Sequence, residues 1–288
     1  MVHRRRGDIL WGMQPLVSIT IPTYNSEAFI GRCLDAVYAQ TYKDIEVNIV
    51  DGFSRDGTRS IAGKYPLGLY EDNLGLLNAR KLGVEKSSGE FVLLLDSDQI
   101  LEPEAIENAV RLIQEKELDM LVLEEDVFRN KTFLEMLFHL DRKLIHAVKD
   151  FSPATGVMLP RFYRKAVLRQ AFEAIPPSAL QSGGQDHAII YYEVWQITQK
   201  VDLLPDAVKH IEPSTLREIV PKFYRWGYTS HSAREPKYKD MLQTKERFRK
   251  GMFGKGLWIA SLGSIVLLMI KGIPYVLGRA MGSIRSRK

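Results

Sequence analysis

Glu90-Phe-Val-Leu-Leu-Leu-Asp96-Ser97-Asp98 decides the fold. Its unbroken apolar run reads as a short strand covered on both faces, the pattern of parallel sheets whose crossovers place helices on each side. The run ends in two carboxylates, and Pro103 beyond them marks a helix start. Two aspartates therefore stand at the C-terminal tip of a buried strand, the edge at which open α/β sheets bind ligands. A carboxylate pair there offers the hard oxygens that a divalent ion bridging phosphates requires, whereas an isolated Asp-x-Asp is an acidic turn capping the next helix.

Working upstream, Val17-Ser-Ile-Thr-Ile-Pro22-Thr23-Tyr24-Asn25 is a strand broken by proline, followed by Ser26 as an N-cap candidate and a helical stripe at Ile30, Leu34 and Val37. Ile45-Glu-Val-Asn-Ile-Val-Asp51 is a second strand ending in aspartate, and Ser54-Arg55-Asp56-Gly57-Thr58 turns into a helix near Ile61. A third strand, near Leu67 to Tyr70, runs through Asn73-Leu-Gly75 into a helix with Ala79-Arg80 and Gly83, then through Gly89 into the strand that carries Asp96. Strands alternating with helices predict a mostly parallel sheet with right-handed crossovers.

These blocks, in this order and spacing, resemble the family 2 glycosyltransferases of the GT-A fold. The likeness rests on Pro22-Thr23-Tyr24-Asn25, Val50-Asp51 with Ser54-x-Asp56-Gly57-Thr58, Asn73-x-Gly75 with Ala79-Arg80, Gly89-Glu90 and Leu95-Asp96-Ser97-Asp98. It continues more weakly through Gly183-Gly184-Gln185-Asp186, His210 and Tyr224-Arg225-Trp226-Gly227. Two departures stand out: Phe53 occupies a place where the family carries a small residue, and Gln185-Asp186 replaces the usual Glu-Asp. The domain expectation is an N-terminal extension over 1–15 and a catalytic domain over 16–230. The nucleotide-binding half of that domain covers about 16–100 and the acceptor half 101–230, and a basic, apolar membrane-associated extension follows over 231–288.

The resemblance implies a metal-dependent, inverting transferase with Mg²⁺ or Mn²⁺. Asp98 would be the direct ligand of the ion, Asp96 would face the ribose or the metal's surroundings, and His210 would join the metal or diphosphate, neutral imidazole suiting Mn²⁺ better. Pro22, Thr23, Tyr24, Asn25 and Ser97 would line the nucleotide site of a UDP- or GDP-linked sugar, with Asp51 accepting a hydrogen bond from the base. Arg80 would sit near the base or diphosphate, the alternative being an ion pair with an acid such as Asp51. Inverting transfer needs a general base on the acceptor side. Asp186 is the candidate, at the start of a helix expected to be amphipathic over Ile189 to Trp195, with Gly184 and Gln185 beside the acceptor. Glu124-Glu125-Asp126 ends another strand, as an acidic loop or as contacts to acceptor hydroxyls. Arg161, Arg164 and Arg225 are candidate cations for an acceptor phosphate.

Composition agrees with one enzyme-sized unit: 288 residues, 45% hydrophobic and 26% charged. The single cysteine, Cys33, falls on the first helix and reads as core filler. Met1 to Trp11 carries basic residues with no long apolar segment behind them, which argues against a signal peptide. The net charge of +5 is concentrated late in the chain, at Lys237, Lys239, Lys245, Arg247, Arg249, Lys250 and Lys255 and again at Arg279, Arg285, Arg287 and Lys288. Between these clusters the apolar run from Leu257 to Ile270 is shorter than a span of about 20 residues, and extending it takes in Lys271 and Pro274. The expectation is helices lying in the membrane interface, with Trp258 and Tyr275 at headgroup depth and the basic clusters on anionic lipid. The chain would then sit on the cytoplasmic face of the cell membrane and act on a polyprenyl-linked acceptor. A soluble helical hairpin is the alternative. No groove-reading motif accompanies the basic patch, so nucleic acid is not expected as a partner. Two other function classes compete. A sugar nucleotidyltransferase would need a Gly-rich basic loop after the first strand, and Pro22-Thr-Tyr-Asn is not one; a degenerate, scaffold-type relative would lack Asp98 or Asp186, and both are present.

Overall fold

Val17–Thr23 (β1), Ile45–Asp51 (β2), Gly68–Glu71 (β3) and Phe91–Leu94 (β4) form the parallel half of an eight-stranded sheet in the computed structural model of the protein. The structure describes residues 14–147, 151–154, 158–181, 184–229, 235–241 and 258–285. Every residue of β4 is buried and β1 is buried throughout except at Pro22, as expected of strands with helices on both faces. The helices crossing between them are Ile30–Tyr38 (α1), Thr58–Ala62 (α2) and Leu76–Lys86 (α3). Ser26 does not cap α1: its carbonyl accepts from Phe29 and Ile30 in the preceding turn, and its hydroxyl is held by Ser97 at 3.0 Å.

The second half adds antiparallel strands to the expected, mostly parallel arrangement. Gln99–Leu101 (β5) follows Asp98 directly, before Ala105–Glu115 (α4), Met120–Val127 (β6) and Phe133–His146 (α5). Phe162–Arg164 (β7) leads to Lys165–Glu173 (α6), Asp186–Ile197 (α7), Val201–His210 (β8) and Leu216–Thr229 (α8). The sheet order is β3-β2-β1-β4-β7-β6-β8-β5, with β7 antiparallel to β4 and β6, and β5 antiparallel to β8. The sheet is therefore mixed. Short pairings between strands distant in sequence, such as β4 with β7, carry no period that distinguishes their direction.

The main core joins β1, β2, β4 and β6 to α1 and α4, and Cys33 lies fully buried in it, its thiol pushed up by burial and then by Asp98 and Asp96. A second core packs α3, α6 and α7 on the opposite face. α7 is buried nearly all round rather than amphipathic, because α3, α6 and the segment around Tyr238 enclose it. The C-terminal apolar stretch is one continuous helix, Trp258–Arg285 (α9), not several. It lies along α5 and α8 through Leu134, Leu137, Phe138, Ile219 and Leu267. The basic residues Lys245, Arg247, Arg249, Lys250, Lys255, Arg287 and Lys288 lie outside the described residues.

Candidate active site

The sheet order reverses between β1 and β4, so the loops after their C-terminal ends diverge and leave a crevice. It opens into a cleft of about 1070 Å³. Pro22, Thr23, Tyr24 and Asn25 line it from β1, Asp96, Ser97 and Asp98 from β4, and Gly184, Gln185, Asp186 and His187 from the start of α7. Glu125 of β6, His210 of β8, and Lys222, Arg225 and Trp226 of α8 close the far side. The expected site residues are thus brought together except for Asp51 and Arg164.

Asp51 is fully buried and does not line the cleft. Its carboxylate accepts from Thr23 Oγ1 at 2.8 Å, Ser54 Oγ at 2.6 Å and Ser54 N at 2.8 Å, which fastens the tip of β2 to that of β1. Its carboxylate thus braces the cleft wall from behind. Arg164 lies on the other side of β7, where its Nε donates to the Leu118 carbonyl and its guanidinium pairs with Glu90 and lies over the Phe91 ring. It supplies no charge to the cleft. Arg225 stays at the cleft, 5.7 Å above the Tyr24 ring.

The floor of the cleft is a chain of alternating buried charges. Arg80, 1% exposed, donates from Nε to Asp186 Oδ2 at 2.5 Å and from a terminal nitrogen to Asp96 Oδ1, so the acids it pairs with are these two and not Asp51. Arg161 donates to the other oxygen of Asp96 at 2.7 Å and lies 3.1 Å from Glu125. These carboxylates balance its charge. Arg142 of α5 bonds Glu125 at 2.6 Å and also Glu212. Glu212 lies 3.4 Å from His210 Nδ1, His210 Nε2 lies 3.4 Å from Asp98 Oδ1, and Lys222 Nζ lies 3.1 Å from Asp98 Oδ2.

This alternation sets the protonation states. Burial alone would raise each carboxyl, but Arg161 and Arg80 hold Asp96 well below the usual carboxylate range, and Arg80 holds Asp186 below it. His210 and Lys222 do the same for Asp98. Glu125, flanked by Arg161 and Arg142, is lowered to about 2. The site is therefore ionised at neutral pH. Both oxygens of Asp96 accept from arginine, Oδ1 from Arg80 and Oδ2 from Arg161. One oxygen of Asp186 is held by Arg80, while Oδ1 accepts no hydrogen bond among the described residues and so is open to a ligand's proton.

His187, Arg142, Glu212 and Lys222 carry much of this network and were not singled out from the sequence. His187 had a signal, being next to Asp186. The others sit singly in helical or strand-end patterns and become functional only through tertiary placement. Of the acidic triplet, the strand's alternation turns Glu125 into the cleft, while Glu124 accepts from the Asp206 amide and Asp126 pairs with His139.

The profile of Glycosyl transferase family 2 matches residues 18–175, more than half of the chain. The chain belongs to that family. Among curated relatives, Glycosyltransferase GlyG of Streptococcus pneumoniae is 29% identical over 117 residues, covering 38% of this chain and 39% of GlyG. The putative glycosyltransferase EpsH of Bacillus subtilis is 35% identical over 103 residues, covering 34% of this chain and 30% of EpsH. The match thus spans two fifths or less of these relatives. In fold, the chain resembles S. aureus TarS 1–349, with a TM-score of 0.56 at 19% identity over 95% of this chain and 92% of that one. It also resembles the mannosyltransferase PcManGT of Pyrobaculum calidifontis, solved with GDP-Man and Mn²⁺, with a TM-score of 0.55 at 20% identity over 96% of this chain and 81% of that one.

Proposed function

We propose that this glycosyltransferase moves a sugar from a UDP- or GDP-linked donor to an acceptor presented at a membrane surface, a polyprenyl-linked lipid by preference, with inversion at the anomeric carbon. One observation carries the reading: in a single cleft, Asp98 with His210 and Asp186 with its open oxygen flank the Arg80–Asp96 pair.

The residues present fit a divalent ion. His210 Nε2 lies 3.4 Å from Asp98 Oδ1 and its Nδ1 lies 3.4 Å from Glu212 Oε1, so a neutral ring protonated on Nδ1 would present its Nε2 lone pair beside the Asp98 carboxylate. In that form an ion would sit between the two lone pairs, and the spacing is near the roughly 3 Å between adjacent ligands of an octahedral ion with bonds of about 2.1 Å. Among the described residues no group of three or more His, Cys, Asp or Glu is gathered as a complete metal cage, so Asp98 and His210 would share the ion with diphosphate oxygens. Mg²⁺ or Mn²⁺ there would neutralise the charge that grows on the departing diphosphate. Lys222, now on Asp98, and Arg225 bring further positive charge to the same side.

Asp186 Oδ1 takes the proton of the attacking hydroxyl, and Arg80 fixes the orientation of its carboxylate. Where the acceptor is already a phosphate anion, the same carboxylate positions it.

Support for the membrane side comes from α9. Its segment Trp258–Ile284 has a mean hydropathy of 1.8 and is long and apolar enough to cross a membrane. Its inner face, however, is fixed to α5 and α8, which carry Arg142 and Lys222 into the polar cleft, so a spanning position would drag these charges towards hydrocarbon. Lying in the interface avoids that. Lys271, the charge that interrupts the apolar run, turns inward to Asp141 at 3.3 Å, and Ile259, Leu262, Ile265, Met269, Ile273 and Val276 remain exposed on the outside.

Thermal unfolding with a panel of UDP- and GDP-sugars, in Mn²⁺ and in EDTA, tests the donor side. The cognate donor should raise Tm only with metal present, because a ligand at about 100 times its Kd adds about 2.7 kcal/mol. No shift with any member of the panel would sink the nucleotide-sugar reading; an equal shift in EDTA would remove the metal from it.

A further inference from the structure

His187 follows Asp186 in the first turn of α7, lines the cleft and is only 7% exposed. An NH1 proton of Arg161 points at its Nε2, and a guanidinium can only donate, so Nε2 must accept. Asp96 Oδ1 and Asp186 Oδ2, at 3.9 and 3.8 Å, are beyond hydrogen-bond reach of that nitrogen. Burial, then Arg161 and Arg80, pushes the imidazolium pKa down to about 4, so the ring is neutral at pH 7 and its one proton sits on Nδ1. Nδ1 is buried and has no hydrogen-bond partner among the described residues. A buried donor left unmade is costly, and one in the wall of an open cleft calls for an acceptor on a ligand.

Three more polar atoms of the same corner have no partner among the described residues: the donors Arg80 NH1 and Arg161 Nε, and the acceptor Gln185 Oε1 at the cap of α7. The charges of Arg80 and Arg161 are balanced by Asp96 and Asp186. The corner is thus electrically neutral yet rich in fixed donors with one acceptor. An anion gains no net attraction there, and its oxygens cannot satisfy Gln185 Oε1. Hydroxyl groups, which accept and donate at once, match it.

We infer that His187 determines sugar specificity, its Nδ1–H and Gln185 Oε1 hydrogen-bonding hydroxyl groups of the transferred sugar beside Asp186. The inference rests on the nucleotide-sugar reading above.

The test compares the affinities of bare UDP and GDP with those of UDP-glucose, UDP-galactose, UDP-N-acetylglucosamine and GDP-mannose. His187→Gln keeps a polar group near Arg161 but removes the donor at Nδ1, whereas His187→Asn restores an N–H close to the Nδ1 position. For the donor that binds, the ratio of nucleotide-sugar to bare-nucleotide affinity should fall about tenfold in H187Q, as for one lost hydrogen bond, and recover in H187N, with the bare nucleotides unaffected. Unchanged sugar binding in H187Q, or an equal loss for the bare nucleotide, would overturn the assignment. So would intact donor binding with slower transfer, because the hydroxyl would then belong to the acceptor. If H187Q does not fold, monodeoxy analogues of the donor answer with the wild-type protein. At least one should bind about tenfold more weakly than its parent, and equal binding of all of them overturns the inference. A wild-type protein that binds neither UDP nor GDP refutes the parent reading, and this inference falls with it.

Discussion

At the residue scale, the proposed mechanism has Asp186 accept a proton while Arg80 holds it ionised. Burial would raise its pKa, but Arg80 and then His187 outweigh that and keep it below the ordinary 3.8. The base form is therefore populated throughout the neutral range, and an acid limb in kcat/KM due to Asp186 should lie below pH 4. Asp186→Asn is nearly isosteric and should lower kcat by roughly 10²-fold or more while donor affinity stays near wild type; equal loss of donor binding would move Asp186 to the nucleotide site. Glu125 gives a stability prediction. Its pKa falls from 4.5 to about 2 on folding, so its contribution is complete above pH 4.5 and is lost as pH drops towards 2. Glu125→Gln should cost about 3 kcal/mol at pH 7 by leaving Arg161 and Arg142 short of a buried counter-charge. Its Tm should fall less steeply than that of wild type below pH 4.5, and parallel Tm profiles would count against the linkage. The sequence made Asp96, Asp98 and Pro22 to Asn25 legible because strand tips announce themselves locally. It did not reveal that Arg80 joins Asp96 to Asp186, a contact across 106 positions of chain, nor that Asp51 turns inward to Thr23 and Ser54. Phe53, the departure from the family's small residue, adopts a left-handed φ of 60°, a conformation that costs a residue with Cβ about 1 kcal/mol or more and that glycine adopts freely.

At the scale of elements, α8 is the part on which the cleft and the C-terminal helix meet. One side of α8 brings Lys222 to Asp98 and Trp226 against Gly184; the other crosses α9 with glycine on both helices. A Cβ on Gly227 would overlap the Tyr275 carbonyl, and one on Gly278 would overlap the Tyr224 carbonyl. No side chain can yield there, because the obstacle is backbone, so the helices must separate. Gly278→Ala should therefore lower Tm and, by shifting α8, reduce turnover with the donor cleft otherwise intact. Gly272 is the internal control: it lies on the same helix with nothing within 4 Å of where a methyl would stand, and Gly272→Ala should stabilise by roughly 0.5–1 kcal/mol through helix propensity. Equal effects of the two substitutions on activity would show that the crossing does not position α8. The βα alternation of the first hundred residues was readable because each unit is local, whereas the antiparallel pairings of β5 and β7 and the single α9 were not. Lys271 and Pro274 look like interruptions in sequence, but Asp141 of α5 receives the charge, and Pro274 is accommodated inside the helix.

At the scale of the whole molecule, the polar cleft and the apolar outer face of α9 share α5 and α8 as a common wall, so an acceptor held at a membrane surface could reach the cleft without leaving it. This arrangement predicts a separation of functions. Ile265→Glu with Met269→Glu places two charges on the exposed face while leaving Leu267 in its buried cluster and Lys271 on Asp141. The variant should keep wild-type Tm, nucleotide-sugar affinity and transfer to a short water-soluble acceptor, and lose binding to anionic vesicles together with transfer to a long-chain lipid acceptor. Vesicle binding by the unaltered protein should weaken as salt rises from low to physiological strength, because Lys245, Arg247, Arg249 and Lys250 would act on anionic headgroups through a field screened within about 8–10 Å. Co-sedimentation with phosphatidylserine vesicles at several salt concentrations reads both effects. A full-length protein that ignores such vesicles, or a double variant that transfers to the lipid acceptor as fast as wild type, would detach α9 from the membrane and turn the acceptor towards a soluble glycan.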